Sequence, residues 1–315
     1  MKCLELFSGM GGLALGLERA GFRHEKFVEI NKYACATLRK NFPPELIYEG
    51  DIRDFDFSSV GKIELIAGGP PCQPFSFGGK GNASRDARDM FPYACKAVES
   101  LQPRAFIFEN VKGLLRPAFA DYFSSVIRRL GKAGYKVSCH LVNAVDYGVP
   151  QKRERAFIIG MRKDIKTKFT FPMPTHSKST WRTIRDVLGS PMPSKQIAKQ
   201  YAGHTGSRLD APAKTIKAGV HGVPGGENTI ILDNGQVRYL TVDEAKQLQT
   251  FPNDFKIVGS WGEAMRQIGN AVPVLLAEII GKAVYETIEN ESFSTEKGIP
   301  MGYSGFETRS MKSAL

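Results

Sequence analysis

The chain of 315 residues is long enough for one large domain or two modest ones. Its composition, 42% hydrophobic and 10% aromatic, is typical of a soluble globular protein, and no run of about 18 apolar residues indicates a membrane span. The five cysteines show neither CxxC pairs nor metal-ligand spacing, which predicts a reduced, cytoplasmic protein without a bound metal.

The net charge of +11 is concentrated in one block of the sequence. Residues 163–208 contain nine Lys or Arg residues and two Asp residues, so this block alone carries +7. A solvated basic face could have this composition, but the concentration of charge favours a surface that binds a polyanion.

Strand-like apolar runs alternate with amphipathic helical stretches from residue 2 to about residue 162. This alternation predicts an α/β fold with a mainly parallel sheet that is covered on both faces. The predicted strands are Cys3–Phe7, Lys26–Ile30, Ile63–Ala67, Ala105–Glu109, Lys136–Val142 and Ala156–Gly160, and the predicted helices are Leu13–Ala20, Lys32–Lys40, Met90–Leu101 and Pro117–Leu130.

After Met161 the sequence becomes rich in proline and glycine, with few sustained apolar runs. This change predicts a second, smaller, loop-rich domain. Helical signals resume at Thr241, which has capping-box spacing to Glu244, and an apolar pattern predicts a helix over Val274–Ile288. The polar residues from Glu289 onward predict a loosely held tail.

The turn after the first predicted strand has the spacing GxGxxA, from Gly9 through Gly11 to Ala14. Glu29 follows Gly9 by 20 residues, at the end of the second predicted strand. Glycines let the backbone approach a ligand closely, and an acidic side chain can accept hydrogen bonds from ribose hydroxyls. The pattern alone leaves open a nicotinamide, a flavin or S-adenosylmethionine.

Cys72 lies between prolines, just after the predicted strand Ile63–Ala67. Ligands bind at such strand ends in open α/β sheets. Most single cysteines are small buried residues without chemistry. Here Pro71 and Pro74 restrict the backbone on both sides of the thiol, which favours a loop that holds a nucleophile in place.

The string from Pro70 to Ser76 resembles the nucleophile motif of the DNA (cytosine-5)-methyltransferases of bacterial restriction-modification systems. Further blocks follow in that family's order: Phe7 to Gly12, Gly50 to Ile52, Glu109 to Val111, Gln151 to Arg155, and Gln267 to Pro273. The resemblance covers residues 2–288. It implies a Rossmann-like, S-adenosylmethionine-dependent methyltransferase fold with a small target-recognition domain.

The resemblance also implies the reaction, in which S-adenosyl-L-methionine methylates carbon 5 of a flipped-out cytosine in a specific duplex sequence. Cys72 is expected to attack carbon 6 and form a covalent adduct. Glu109 is expected to bind nitrogen 3 of the base, in a protonated form that would avoid a second anion beside the thiolate. Arg153 is assigned to the cytosine carbonyl, and Arg155 is expected to brace the site.

The cofactor site implied by the resemblance draws on the first turn, the ends of the next strands and the last motif. Its residues are Phe7, Ser8, Gly9, Met10, Gly11, Gly12, Glu29, Ile30, Asp51, Ile52, Gly69, Pro71, Asn270, Ala271 and Val272.

DNA contacts are expected in two regions, near Cys72 and in the basic block. The Gly- and Arg-rich loop from Phe77 to Arg88 could close over DNA, or it could be a plain surface loop. The candidate DNA-binding residues are Gln73, Ser76, Arg85, Gln151, Lys178, Arg182 and Arg185. No code translates these side chains into a target sequence.

Four segments follow from this interpretation: 1–172 for catalysis and cofactor binding, 173–254 for target recognition, 255–290 returning to the catalytic domain, and 291–315 as a polar tail. The implied partners are double-stranded DNA and a cognate restriction endonuclease that forms no stable complex. A monomer without membrane association is expected.

Three other functions share features with this sequence. An RNA-methylating branch of the family carries a Cys-Phe-Thr tripeptide soon after the Glu-Asn-Val motif, whereas this chain has Lys112 to Pro117 there. A non-catalytic DNA-binding relative is expected to lack the nucleophile or the acid, and both Cys72 and Glu109 are present. A nicotinamide-dependent dehydrogenase leaves the motif around Cys72 unexplained.

Overall fold

The protein is described by a computed structural model that covers residues 1–71, 89–190, 206–218 and 227–296, with side chains to residue 292. A seven-stranded sheet forms its centre, in the order β3-β2-β1-β4-β5-β7-β6. Only β7 runs antiparallel to its neighbours, so the expected α/β fold with a mainly parallel sheet is confirmed. The strands are β1 Lys2–Leu6, β2 Arg23–Glu29, β3 Ile47–Glu49, β4 Leu65–Gly68, β5 Ala105–Val111, β6 Tyr135–Asn143 and β7 Glu154–Arg162.

Helices cover both faces of this sheet because the side chains of each strand alternate between two apolar clusters. On β5, Phe106 and Phe108 face the cluster beneath α3 and α4, whereas Ile107 faces the cluster beneath α1 and α8. The helices are α1 Gly12–Arg19, α2 Lys32–Asn41, α3 Phe91–Leu101, α4 Ala120–Lys132, α5 Ile184–Leu188, α6 Val242–Leu248, α7 Trp261–Asn270 and α8 Val274–Glu296.

A small three-stranded sheet follows in the chain, in the order β10-β9-β8. Its strands are β8 Ser207–Arg208, β9 Thr229–Ile231 and β10 Val237–Tyr239. Ile216 and Ile230 of this part share one apolar cluster with Met10 and Ala14 beside the first turn. The small sheet therefore shares its apolar core with the residues beside the first turn. The boundaries at residues 173 and 254 remain a prediction.

Helix α8 continues beyond the predicted end at Ile288 and into the segment expected to be a loose tail. The buried carboxylate of Glu291 explains this extension, since it accepts hydrogen bonds from the backbone N–H groups of Lys166 and Thr167 at 3.0 and 2.8 Å. By length and composition alone, Trp261–Ser292 could cross a membrane, since an 18-residue stretch within it has a mean hydropathy of 1.4. However, 61% of that 18-residue stretch is buried inside the protein. Ala277 of α8, for example, packs tightly against Gly16 of α1.

Candidate active site

A cleft of about 310 Å³ opens at the carboxyl ends of β1 and β2. It brings together six of the residues expected to bind the cofactor, from segments far apart in the sequence. Its lining consists of Phe7, Val28, Glu29, Ile30, Gly50, Asp51, Ile52, Arg53, Pro71 and Met90. Open α/β sheets bind ligands at this edge.

The backbone of the first turn takes up unusual left-handed conformations. Gly9 and Gly11 have φ values of 54° and 92°, and Phe7, which carries a side chain, has a φ of 54°. Glycine adopts this region without strain, whereas a phenylalanine there needs support from its surroundings. That support comes from packing, because Phe7 lies against the apolar cluster beneath α3 and α4.

Glu29 braces this turn directly. Its Oε2 accepts a hydrogen bond from the Gly9 N–H at 2.7 Å, and its Oε1 accepts one from the Asn31 N–H at 2.7 Å. Burial raises the pKa of Glu29, while the two backbone donors oppose that rise. The sequence predicted ribose contacts for this carboxylate but not the bracing role. Each oxygen keeps a second lone pair, so the two roles are compatible.

Other residues of the first turn support it from within. The Ser8 hydroxyl donates to the Glu5 carbonyl at 3.1 Å, and the Met10 side chain is buried in the apolar cluster that it shares with the small sheet. At Gly11 a Cβ would lie 2.6 Å from the ring of Phe42. These three side-chain positions face the core, whereas Gly9 faces open space.

The segment Ala271–Val272 lies directly on the N-terminus of α1. A Cβ on Gly12 would stand 2.3 Å from the Val272 carbonyl oxygen and 3.1 Å from the Ala271 Cβ, so only glycine fits. Asn270, the last residue of α7, is exposed beside this contact. The first turn and the last motif thus meet, as a shared role in cofactor binding requires.

The other side of the cleft combines an anion with apolar surface. The Asp51 carboxylate accepts hydrogen bonds from the Arg53 guanidinium, with Nε–Oδ2 at 3.0 Å, and this interaction lowers the pKa of Asp51. Ile52 is buried at the wall of the cleft, whereas Ile30 is 65% exposed at its rim. An exposed isoleucine on a strand end is consistent with a surface for a flat ligand.

The carboxyl edge of the sheet also holds an acid and a guanidinium in contact. Glu109 Oε1 lies 2.8 Å from Arg155 Nε, and both side chains are nearly buried. The other oxygen, Oε2, would be 3.3 Å from a Cβ on Gly69. The Asn110 Nδ2 donates to the Pro70 carbonyl at 3.1 Å. Two consecutive residues of β5 therefore touch the segment that leads to Cys72.

Asn110 was not selected as a site residue from the sequence, although its place beside Glu109 was a usable signal. Cys72 itself lies outside the described residues, as do Gln73, Ser76 and Arg85.

The structure corrects the roles expected for Arg153 and Gln151. Arg153 is 1% exposed, and its guanidinium donates to the carbonyls of Ile216 at 3.2 Å and Gly269 at 2.8 Å. Gln151 is fully buried, and its amide bonds to the Ile216 N–H and to Gln249. Both residues precede β7 and point into a junction between segments, so neither reaches a base or a phosphate from this position.

The basic block is also more heterogeneous than its charge suggested. Arg185 forms salt bridges with Asp210 and Asp233, each at 2.6 Å, and these carboxylates raise its pKa. Its charge is therefore used inside the small domain. Lys178 and Arg182, by contrast, are exposed.

The segment that carries Lys178 and Arg182 is hydrogen-bonded to the carboxyl edge of the large sheet. The Trp181 indole N–H donates to the Asp146 carboxylate at 2.8 Å, and the backbone N–H groups of Thr175 and His176 donate to the Asp146 carbonyl. Asp146 follows β6, which runs parallel to β5 and so ends on the same side as Glu109. Among the residues that the structure describes, no group of three or more His, Cys, Asp or Glu side chains could hold a metal ion.

Comparison with known proteins adds independent evidence. The family model of C-5 cytosine-specific DNA methylases matches residues 1–209 and 193–286. The type II methyltransferase M.PspPI of Psychrobacter sp. is 37% identical, over 89% of this chain and 78% of that protein. M.NgoMIV of Neisseria gonorrhoeae, also a type II methyltransferase, is 34% identical over 92% and 98% of the two chains.

The fold is also similar to that of solved structures. A mutant of Spodoptera frugiperda DNMT2 superposes with a TM-score of 0.77 at 19% identity, over 90% of this chain and 99% of that one. The Entamoeba histolytica methyltransferase EhMeth gives a TM-score of 0.74 at 18% identity, over 91% and 98%. At these identities the likeness concerns the fold alone.

Proposed function

This chain belongs to the C-5 cytosine-specific DNA methylase family, and from this premise we propose which of its residues transfer the methyl group. The protein is a DNA (cytosine-5)-methyltransferase that uses S-adenosyl-L-methionine. One observation carries the assignment of its residues: the Glu109 carboxylate, paired with Arg155, lies beside Gly69, three residues before Cys72.

The cleft suits this cofactor chemically. Ile30 and Ile52 offer apolar surface for an adenine ring, and the carboxylates of Glu29 and Asp51 offer acceptors for ribose hydroxyls and an exocyclic amine. The exposed Asn270 directly precedes the Ala271–Val272 segment, which contacts the first turn at Gly12. When bound, S-adenosylmethionine supplies the methyl group on a positively charged sulfur.

Cytosine needs activation because carbon 5 belongs to an aromatic ring and is a poor nucleophile. We propose that the Cys72 thiolate bonds to carbon 6, which makes carbon 5 electron-rich enough to accept the methyl group. Loss of the proton from carbon 5 then expels the Cys72 thiolate and restores the ring. Negative charge develops at nitrogen 3 of the cytosine ring, and Glu109 is expected to stabilise it by donating a hydrogen bond to that atom.

The other cysteines support Cys72 as the nucleophile. Burial raises the pKa of Cys35 and Cys95 to about 12 and that of Cys139 to about 11, and it also raises the pKa of Cys3. Thiols with such pKa values are almost entirely protonated at neutral pH and are poor nucleophiles.

Arg155, rather than Arg153, is the arginine on the side of the base. Its Nε holds Oε1 of Glu109, which leaves Oε2 turned toward the segment before Cys72. A guanidinium at this place also favours a nearby thiolate and can donate to the cytosine carbonyl.

The substrate must leave the DNA stack before these groups can reach it, since carbon 6 is inaccessible in a duplex. We propose that the segment 173–254 recognises the target sequence and that the exposed Lys178 and Arg182 contact phosphates beside the flipped base. M.PspPI and M.NgoMIV are named type II methyltransferases, which supports a place for this enzyme in a restriction-modification system. We propose that it acts there as a cytoplasmic monomer alongside a cognate endonuclease.

Covalent trapping tests the assignment. Bisulfite sequencing of plasmid DNA from methylase-free cells that express the enzyme gives the target, which is then made as a duplex with 5-fluorocytosine at the methylated position. Fluorine blocks the loss of a proton from carbon 5, so the enzyme and S-adenosylmethionine should give a denaturation-resistant adduct that peptide mapping places at Cys72. Cys72→Ser should give no adduct and no methylation.

Cys139→Ser is the matched control and should be trapped like the wild type. Arg155→Met should lose most of its methyl transfer but still bind DNA. An adduct through another cysteine, or normal turnover by Cys72→Ser, contradicts the proposal.

A further inference from the structure

A fully buried guanidinium joins three distant parts of the chain. Arg153 enters from the start of β7, and its Nη1 and Nη2 donate to the carbonyls of Ile216 and Gly269. Ile216 belongs to the segment that follows β8, and Gly269 lies in the last turn of α7. Coulombic interactions alone do not explain this placement, because both acceptors are backbone carbonyls rather than carboxylates.

A second polar bridge runs beside the first. Gln151 Oε1 accepts a hydrogen bond from the Ile216 N–H at 3.0 Å, and its Nε2 donates to Gln249 Oε1 at 3.1 Å. Gln249 in turn donates to the carbonyls of Ile268 at 2.7 Å and Ala271 at 3.2 Å. Both glutamine side chains are fully buried, so water does not compete for these bonds.

The segments joined by these hydrogen bonds are also closely packed. A Cβ on Gly269 would stand 2.4 Å from the backbone of Lys217 and Ala218. Three residues later, the Val272 carbonyl would stand 2.3 Å from a Cβ on Gly12, at the cofactor turn. A continuous line of backbone contacts therefore leads from residues 216–218, through 269–272, to the first turn.

Residues 216–218, where these backbone contacts begin, are connected to the small sheet. The Asn228 side chain accepts a hydrogen bond from the Lys217 N–H and donates to the Lys217 carbonyl, which ties residues 216–218 to the start of β9. A displacement of the small sheet would therefore have to be accommodated at residues 269–272, since closely packed segments resist independent movement.

We propose that Arg153 is a positioning residue that couples engagement of DNA by the small sheet to binding of the cofactor at Asn270–Val272. The proposal rests on the proposed function, because it takes the small sheet as part of the DNA-recognition region and Asn270–Val272 as part of the cofactor site. Coupling of this kind is reciprocal, so DNA should tighten the binding of cofactor and cofactor should tighten the binding of DNA by the same factor.

The experiment measures the dissociation constant of S-adenosylhomocysteine by calorimetry, with and without a saturating duplex that carries the methylated target sequence. This ligand has no methyl group to transfer, so no turnover disturbs the equilibrium. For the wild type we expect the duplex to tighten binding roughly tenfold. Arg153→Met, which keeps the length but loses both hydrogen bonds, should reduce this factor to nearly one. Arg153→Lys, which can reach one carbonyl only, should give an intermediate factor.

Arg155→Met is the matched control, since it removes the guanidinium two residues away, which contacts Glu109 and the adjacent Glu154 carbonyl rather than the segments at residues 216 and 269. It should keep the tenfold factor while losing methyl transfer. A folded Arg153→Met with an unchanged factor overturns the coupling role, and normal methylation by Arg155→Met overturns the proposed catalytic site instead. A residue with a merely structural role would lower the melting temperature of Arg153→Met but leave the ratio of dissociation constants intact.

A measurement on the wild type keeps the proposal testable if Arg153→Met does not fold. S-adenosylhomocysteine alone should slow hydrogen exchange at the Ile216 and Lys217 amides, which bond to Gln151 and Asn228 on the side of the small sheet. The N–H groups of the exposed residues Lys178 and Ser179 are the internal control and should be unaffected. Unchanged exchange at residues 216 and 217, or no effect of DNA on cofactor binding by the wild type, rules the proposal out.

Discussion

Replacement of Glu29 by glutamine separates two roles that the same carboxylate could have. In the structure its two oxygens accept hydrogen bonds from the Gly9 and Asn31 N–H groups, both at 2.7 Å. Glutamine has one oxygen and one NH₂ group, so one of the two backbone donors must face another donor. The turn therefore loses a charge-assisted hydrogen bond even when no cofactor is present.

The size of the effect follows from this geometry. Loss of a hydrogen bond to a charged group, with its partner left buried, costs about 1.5–3 kcal/mol. Part of this cost is offset, because burial already raises the pKa of Glu29 and so disfavours its charged form. We expect a net loss of roughly 2 kcal/mol, which lowers the melting temperature of a protein of this size by roughly 3 °C.

Differential scanning fluorimetry of the cofactor-free protein measures this loss, and calorimetry with S-adenosylhomocysteine measures the accompanying loss of affinity. Glu49→Gln is the matched control, since Glu49 is the register partner of Glu29 on β3 but forms only a half-exposed salt bridge with Arg39. Such a pair contributes about 0–1 kcal/mol. If Glu29→Gln weakened cofactor binding but left the melting temperature of the cofactor-free protein unchanged, the bracing role would be refuted.

Three further changes probe the first turn, the buried interior and the DNA surface. Gly12→Ala places a Cβ 2.3 Å from the Val272 carbonyl and should weaken S-adenosylhomocysteine binding about tenfold in calorimetry, since overpacking costs about 1–3 kcal/mol. Gly131→Ala, in open space on α4, should not weaken it. His24 is buried, which by itself lowers its pKa, but its neighbours Cys3, Glu18 and Glu5 raise that pKa well above its usual value. Its stabilising effect is therefore complete below about pH 6.5 and is lost as the pH rises through the higher value in the folded protein. The melting temperatures of wild type and His24→Gln should thus differ more at pH 6 than at pH 9, and a constant difference would contradict this sign. Arg182→Gln should reduce the salt dependence of DNA binding by about one phosphate contact, whereas Arg185→Gln should not, because Asp210 and Asp233 already neutralise Arg185.

The large sheet could be predicted because its central strands are buried on both faces and appear in the sequence as continuous apolar runs. Ala105–Glu109, for example, lies within the observed β5, Ala105–Val111. The edge strand β3 has only the residues Ile47 to Glu49, too few to show any period, and was missed. The end of α8 was also missed, because Glu291 is held by a backbone segment more than 120 residues away in the sequence.

Within the candidate site, the spacing of side chains in the sequence did not predict how each of them is used in the fold. Gln151, Arg153 and Arg155 alternate, and in a regular strand they would project to one face. However, β7 begins only at Glu154, so the first two residues follow a different path and meet the backbone at Ile216. The position at which a strand begins depends on its partners, which short-range spacing does not contain.

The charge of the basic block illustrates the same limit in electrostatic terms. A window over residues 163–208 counts Arg185 as free, since Asp210 and Asp233 lie outside it. The fold brings both carboxylates to within 2.6 Å of the guanidinium, so that cation stabilises the small domain rather than attracting DNA.

Arg153 is the complementary case, because burial lowers its pKa well below the usual value while two carbonyls still hold the side chain. Multidentate donors suit both a base-binding site and a buried junction between segments. What separates the two uses is exposure toward the cleft, and among these arginines Arg182 remains at the surface while Arg155 stands beside Glu109.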